Sequence, residues 1–220
     1  MSLYNTVRNE AEAIQIIEKS KFIAHVRPVE TKEVADLFIS EIKSKYKDAT
    51  HNVPAMVIGD KFQIQWASDD GEPQGTSGAP MVQMMVKENL TNLAVVVTRY
   101  FGGIKLGTGG LVRAYTSSAK LGIEAAGICK VEEICRITMA IDYSNLDKLT
   151  NMSSQKLNTG ERSNADNKYQ FVISDVQYTE KVTLEILTLP VNKEQIKSIF
   201  SNITAGNVEV LREEITLEKV

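Results

Sequence analysis

The sequence predicts an α+β protein of two domains, residues 1–130 and 134–220, from three observations. First, Leu93 to Val97 is a short apolar run rich in β-branched residues that passes through five glycines into a helical pattern from Leu111 to Ala126. Second, beyond residue 130 the hydrophobic periodicity reads strand, helix, strand, strand, helix, strand. Third, charge is uneven across that boundary. Residues 1–130 hold 15 basic and 14 acidic side chains, and the remainder hold 10 and 14.

Taken in order, Ala13 to Pro28 alternates apolar and polar residues in two pieces, which reads as a pair of strands; the alanines near Ala11 also allow a short helix. Thr31 is placed to cap a helix whose apolar face is Val34, Leu37, Phe38, Ile42 and Tyr46, with Lys32, Asp36, Lys43 and Lys47 in solvent. His51–Gly59 and Lys61–Ala67 read as strands joined at Gly59-Asp60. Ser68 to Pro80 is a long polar loop, and a short helix over Gln83–Asn89 precedes the Leu93 strand. Gly127 is placed to stop the helix after the glycines.

Gly127–Glu133 marks the domain boundary. Ile134–Asp142 alternates as a strand, and Ser144-Asn145 can cap a helix from Leu146 to about Leu157. Asn158–Asn167 is a polar loop, Tyr169–Val176 and Lys181–Leu189 form a hairpin, Asn192 caps a helix over Lys193–Ile203, and Val208–Leu217 is the last strand. This is the split β-α-β-β-α-β arrangement of ferredoxin-like domains. Such domains serve as platforms for proteins and RNA, although this sheet lacks the aromatic signature of an RNA-recognition motif.

The chemistry concentrates at the glycines. A strand that turns through glycine into a helix exposes backbone N–H groups at the positive end of a helix dipole, which suits a phosphate or other anion. No Asp or Glu lies between Glu88 and Glu124, whereas Arg99, Lys105, Arg113 and Lys120 do. Arg99, Lys105 and Arg113, with Gly102, Gly103, Gly107, Thr108, Gly109 and Gly110, form the candidate phosphate site. Tyr100 and Phe101 can stack on a base, or pack beneath the loop. Neither familiar nucleotide fingerprint is present. No Lys-Ser/Thr follows the last glycine as a P-loop requires, and Val112 stands where a dinucleotide motif needs its third glycine.

A second candidate is the loop holding Asp69, Asp70 and Glu72, with Thr76 and the nearby His51. Such a cluster can hold Mg²⁺, supply a general base, or serve only as a turn whose side chains bond to backbone. Folded against Arg99 or Arg113, it would act as a structural clamp. His25 and His51 are the only histidines, and neither has metal spacing. Gly75-Thr76-Ser77-Gly78-Ala79 only superficially echoes a nucleophile elbow, which discounts nucleophilic catalysis. Cys129 and Cys135 read as reduced, half-buried hydrophobes. With no apolar run long enough to span a bilayer and no visible secretion signal, the expected location is the cytoplasm and no membrane partner is expected. A net charge of −3 argues against nonspecific nucleic-acid binding by the whole molecule.

Several stretches together resemble the Impact/YigZ family. They are Ser20-Lys21-Phe22-Ile23-Ala24, His51-Asn52, Asp69-Asp70-Gly71-Glu72-Pro73 with Gly75, Thr76, Gly78 and Pro80, and Val97-Thr98-Arg99-Tyr100-Phe101-Gly102-Gly103 continuing through Lys105-Leu106-Gly107 and Gly109-Gly110-Leu111 to Arg113-Ala114-Tyr115. The chain departs from the usual pattern after Asn52, where Val53 and Met56 replace a cysteine and an aromatic residue. The resemblance implies a first domain similar to the fourth domain of elongation factor G and to GHMP-type kinases, followed by a ferredoxin-like domain. Eukaryotic relatives bind a translational regulator. The resulting expectation is a non-enzymatic translation-associated regulator that binds RNA, the ribosome or a translation factor through the glycine-rich basic loop, without a cofactor. The alternatives are a Mg²⁺-dependent enzyme acting on a nucleotide or phosphorylated small molecule, and a protein-interaction module that docks through its acidic second domain.

Overall fold

The computed structural model of the protein describes residues 2–154, 157 and 170–220. They form a mixed α/β structure in two compact units, residues 3–130 and residues 131–220 with Ser2. The polar loop expected over Asn158–Asn167 and the expected start of the hairpin at Tyr169 lie outside the described residues.

In the first unit, β2 (Ala11–Ile17), β3 (Ser20–Pro28), β4 (His51–Ile58), β5 (Ile64–Ala67) and β6 (Leu93–Tyr100) form an antiparallel sheet in the order β2-β3-β6-β4-β5. Glu18 and Lys19, both at positive φ, make the two-residue turn between β2 and β3, so the segment near Ala11 is strand and not helix. Side chains alternate faces along a strand. On β4 and β6, Val53, Ala55, Val57, Val95 and Val97 pack against α2 (Gly78–Lys87) and α3 (Gly107–Ala126). Met56, Ile58, Ala94 and Val96 pack on the opposite face with α1 (Lys32–Lys45). The continuous apolar run at Leu93 to Val97 therefore reflects a central strand covered on both faces.

The Thr31 hydroxyl accepts a hydrogen bond from the Val34 backbone N–H at the start of α1, as the sequence indicates. The buried face of α1, however, is Ala35, Phe38, Ile39 and Ile42, and Leu37 is 71% exposed. Several element bounds also differ from expectation. β5 begins only at Ile64, α2 starts five residues before Gln83 and takes in Gly78 to Pro80, and α3 begins at Gly107 rather than after Gly110. The strand β1 (Ser2–Val7) has no counterpart in the sequence reading. It is hydrogen-bonded to β7 (Ile128–Ile141), and the Cys129 thiol lies 3.8 Å from the Thr6 carbonyl oxygen. β7 begins directly after Gly127, so the stretch Gly127–Glu133, where the sequence places the domain boundary, is strand, and the two units divide within it between Lys130 and Val131.

In the second unit the order is β7, α4 (Leu146–Thr150), β8 (Phe171–Tyr178), β9 (Val182–Thr188), α5 (Lys193–Ile203) and β10 (Val208–Lys219). The strands lie side by side as β10-β7-β9-β8, all antiparallel. Leu149, Ile196 and Phe200 from the helices pack on Ile137, Met139, Leu184 and Ile186. α4 ends at Thr150, seven residues short of the expected end at Leu157. Among the described residues, no helix is long and apolar enough to cross a membrane.

Candidate functional site

The alternation of β6 arranges the site. Val95, Val97 and Arg99 point to the α3 face, while Thr98 and Tyr100 point to the α1 face. Arg99 sits between its cross-strand neighbours Phe22 on β3 and His51 on β4. Tyr100 is directed away from it, and its hydroxyl lies 3.2 Å from both Asp48 carboxylate oxygens. Tyr100 and Phe101 therefore do not form one stacking surface.

Arg99 is only 5% exposed. Its Nη1 donates to Glu72 Oε1 at 2.6 Å, and its Nη2 lies 3.4 Å from Ser20 Oγ. Glu72 Oε1 also accepts the Tyr115 hydroxyl at 2.7 Å and lies 3.8 Å from His51 Nε2. Burial, reinforced by the Glu72 carboxylate, pushes the Tyr115 phenol far above its usual range, so it remains a donor. The central carbon of the Arg99 guanidinium lies over the rings of Phe22 and Phe101, 5.4 and 5.5 Å from their centroids. Arg99 Nε is buried without a hydrogen-bond partner. The polar loop thus does clamp Arg99, through Glu72. Arg99 is not a free surface cation.

The other acidic residues diverge. Asp69 Oδ1 accepts the backbone N–H groups of Ser77 and Gly78 at 3.2 and 2.9 Å and the Ser77 hydroxyl at 2.6 Å; its Oδ2 accepts the Gly75 N–H at 2.7 Å. Asp69 therefore caps α2 from outside. Burial pushes its pKa up, but these bonds outweigh that and hold it below the usual carboxylate range. Asp70 pairs with Lys43 at 2.6 Å and accepts the Asn52 backbone N–H at 2.6 Å. Its carbonyl oxygen lies 2.8 Å from His51 Nδ1; because a carbonyl only accepts, Nδ1 carries the hydrogen. The Thr76 hydroxyl donates to the Pro73 carbonyl at 2.6 Å. Among the described residues, no three His, Cys, Asp or Glu are gathered to hold a metal.

The glycines divide into two groups. Gly102 lies against the β2–β3 turn, where its N–H donates to Ser20 Oγ at 3.1 Å, and Gly103 has φ +87°. Gly107, Thr108, Gly109 and Gly110 belong to the first turn of α3 and not to a loop. No side chain caps that turn and it contains no acidic residue, which leaves its N–H groups as an anion-attracting end. Lys105 and Arg113 are exposed and, with Glu18 and Gly110, line a cleft of about 470 Å³. On the other side of the turn, a cavity of about 470 Å³ is lined by His51, Glu72, Arg99, Phe101, Lys105 and Thr108 together with Leu106 and Leu111.

Sequence reasoning missed Tyr115, Ser20 and Thr50, whose hydroxyl accepts the Phe101 N–H at 3.0 Å. For Tyr115 a signal existed. It lies on the apolar stripe Leu111, Ala114, Ser118 and Ala119, so its hydroxyl had to find a buried partner.

Comparison with known proteins agrees with these stretches. A family model described as the Impact N-terminal domain matches residues 18–123. The IMPACT family member YvyE of Bacillus subtilis (strain 168) is 37% identical over 217 residues, spanning 98% of this chain and 94% of its own. The IMPACT family member YigZ of Escherichia coli (strain K12) is 34% identical over 135 residues, 60% of this chain and 66% of that protein. In structure the chain is similar to a hypothetical protein solved by crystallography, with a TM-score of 0.57 and 25% identity over 97% of this chain and 98% of that one. Since the match to YvyE runs through both units and not only the first, the chain belongs to the Impact/YigZ family.

Proposed function

We propose that this protein is a non-enzymatic, translation-associated regulator that binds RNA, or an RNA-bearing component of the translation machinery, on the surface around the start of α3. The observation that supports this most is the uncapped, acid-free first turn of a 20-residue helix, with exposed Lys105 and Arg113 lining the same cleft beside it. Phe101, 47% exposed beside that turn, offers a stacking surface for a base. Arg99 contacts Phe101 and holds Glu72 from the buried side of this surface and does not stand on it as a free cation. The link to translation rests on the family resemblance, and the cytoplasm is the location that goes with it. The strand order β10-β7-β9-β8 supports reading the second unit as a ferredoxin-like platform. Dispersal of Asp69, Asp70 and Glu72 onto separate structural tasks favours binding over metal-dependent catalysis.

The test is filter binding of single-stranded RNA across a salt series. Each phosphate contact contributes roughly 0.7 to the slope of log affinity against log salt, so a K105A/R113A double variant should lower the slope by about 1.4. Equal affinity and slope for the variant and the parent would rule this reading out.

A further inference from the structure

We infer that the cavity beside the first turn of α3 is a nucleoside monophosphate pocket, which takes a terminal phosphate and its adjoining base, either from a free nucleotide or from the phosphorylated end of an RNA. This rests on the RNA reading only for the second of those two sources.

The cavity holds about 470 Å³, the scale of a small-molecule site, and it combines two chemistries. At one side are groups that favour an anion. The N–H groups of the first α3 turn are unclaimed by any side chain, Lys105 is exposed at the rim, and Arg99 lines the wall, its side chain 6% exposed and its Nε buried without a partner. A buried donor with no acceptor calls for a ligand or water that supplies one. The negative charge in the wall, Glu72, is already offset by Arg99 at 2.6 Å and bonded by Tyr115. At the other side are Leu106 and the ring of Phe101, which has the Arg99 guanidinium against it and is 47% exposed. A flat base can lie on the exposed part of that ring, adding an aromatic contact to the cation–π contact it already makes with Arg99.

The shape favours a chain end over a phosphate within a strand. Glu72, Arg99 and Leu111 are all buried and close the inner wall. An internal phosphodiester would need room for a nucleotide on both sides, whereas a phosphomonoester enters once and presents more oxygens to the helix turn. Thr108, exposed in that turn, is the natural place to obstruct it.

The experiment compares a 3′-fluorescein-labelled RNA bearing a 5′-phosphate with the same RNA bearing a 5′-hydroxyl, by fluorescence anisotropy. Adenosine monophosphate, adenosine and inorganic phosphate serve as competitors. The phosphorylated RNA should bind at least about tenfold tighter, as expected for the charge-assisted bonds it adds. Adenosine monophosphate should displace it better than adenosine or phosphate. A T108E variant places a carboxylate on the helix turn, where it stabilises the helix but occupies the anion position. It should keep or raise the melting temperature, abolish displacement by the monophosphate and remove the preference between the two RNAs. An F101A variant should bring adenosine monophosphate down to the level of inorganic phosphate. Equal binding of both RNAs that T108E leaves unchanged overturns the pocket, even if K105A/R113A shows the RNA surface to be real. Binding of the monophosphate that T108E abolishes, without RNA binding, supports the pocket for free nucleotides and overturns the RNA reading instead.

Discussion

Arg99 on β6 and Glu72 in the polar loop form an ion pair of 2.6 Å in which both side chains are almost wholly buried. Residues 27 positions apart in the chain thereby fix where the loop lies against the sheet. Removing one partner of such a pair strands the other charge in a poorly solvated place. E72A is expected to lower the unfolding free energy by about 3–5 kcal/mol. Y115F, which deletes one hydrogen bond to the same oxygen, should lower it by about 1 kcal/mol. Urea denaturation of both variants checks this, and equal losses would contradict the central place given to Glu72.

Asp69 supplies from a distance the cap that Ser77 does not give α2. Loss of a side-chain cap typically removes about 1–2 kcal/mol, whereas asparagine caps nearly as well as aspartate. D69A should therefore be less stable than D69N in thermal denaturation, and the reverse order would refute the capping role.

Burial holds His25 below the usual histidine pKa, against the raising influence of Glu12, whose carboxylate is 3.1 Å from Nδ1. The folded protein then keeps a neutral imidazole where the unfolded chain takes up a proton. Stability should fall as pH drops below about 6.5, the ordinary histidine value, and level off once the folded pKa is passed. An H25Q variant should show a flatter dependence of denaturation midpoint on pH through that window. An unchanged slope would mean that some other group is responsible.

The two loop glycines are needed for different reasons. A Cβ on Gly102 would lie 2.0 Å from the Lys19 carbonyl carbon, backbone that cannot turn aside. G102A should therefore cost about 3 kcal/mol or more, at the upper end of overpacking effects. At Gly103 nothing lies within 4 Å, and only the φ of +87° resists a side chain, so G103A should cost about 1–2 kcal/mol. Melting temperatures of the two variants should rank accordingly.

The elements with strong periodicity were legible in the sequence. α5 spans Lys193–Ile203 as its pattern indicates, and β6 contains the apolar run at Leu93. α1 was legible as a helix but not in its rotation, because Val34 and Leu37 are apolar yet face outward while Ala35 and Ile39 are covered by the sheet. β1 was not legible at all, since a six-residue segment that carries Ser2, Asn5 and Thr6 acquires strand structure only from its neighbours.

The sequence by itself determined where chemistry could concentrate: glycines, basic residues and an acid-free interval coincide at one strand-to-helix passage, and local spacing is enough to show it. Only the tertiary structure decided what each charge does there. Strand alternation turned Arg99 inward to Glu72 and sent Tyr100 to the opposite face, while Lys105 and Arg113 were left exposed. Ion pairing and burial depend on which distant segments meet, and composition along a chain carries no record of that meeting.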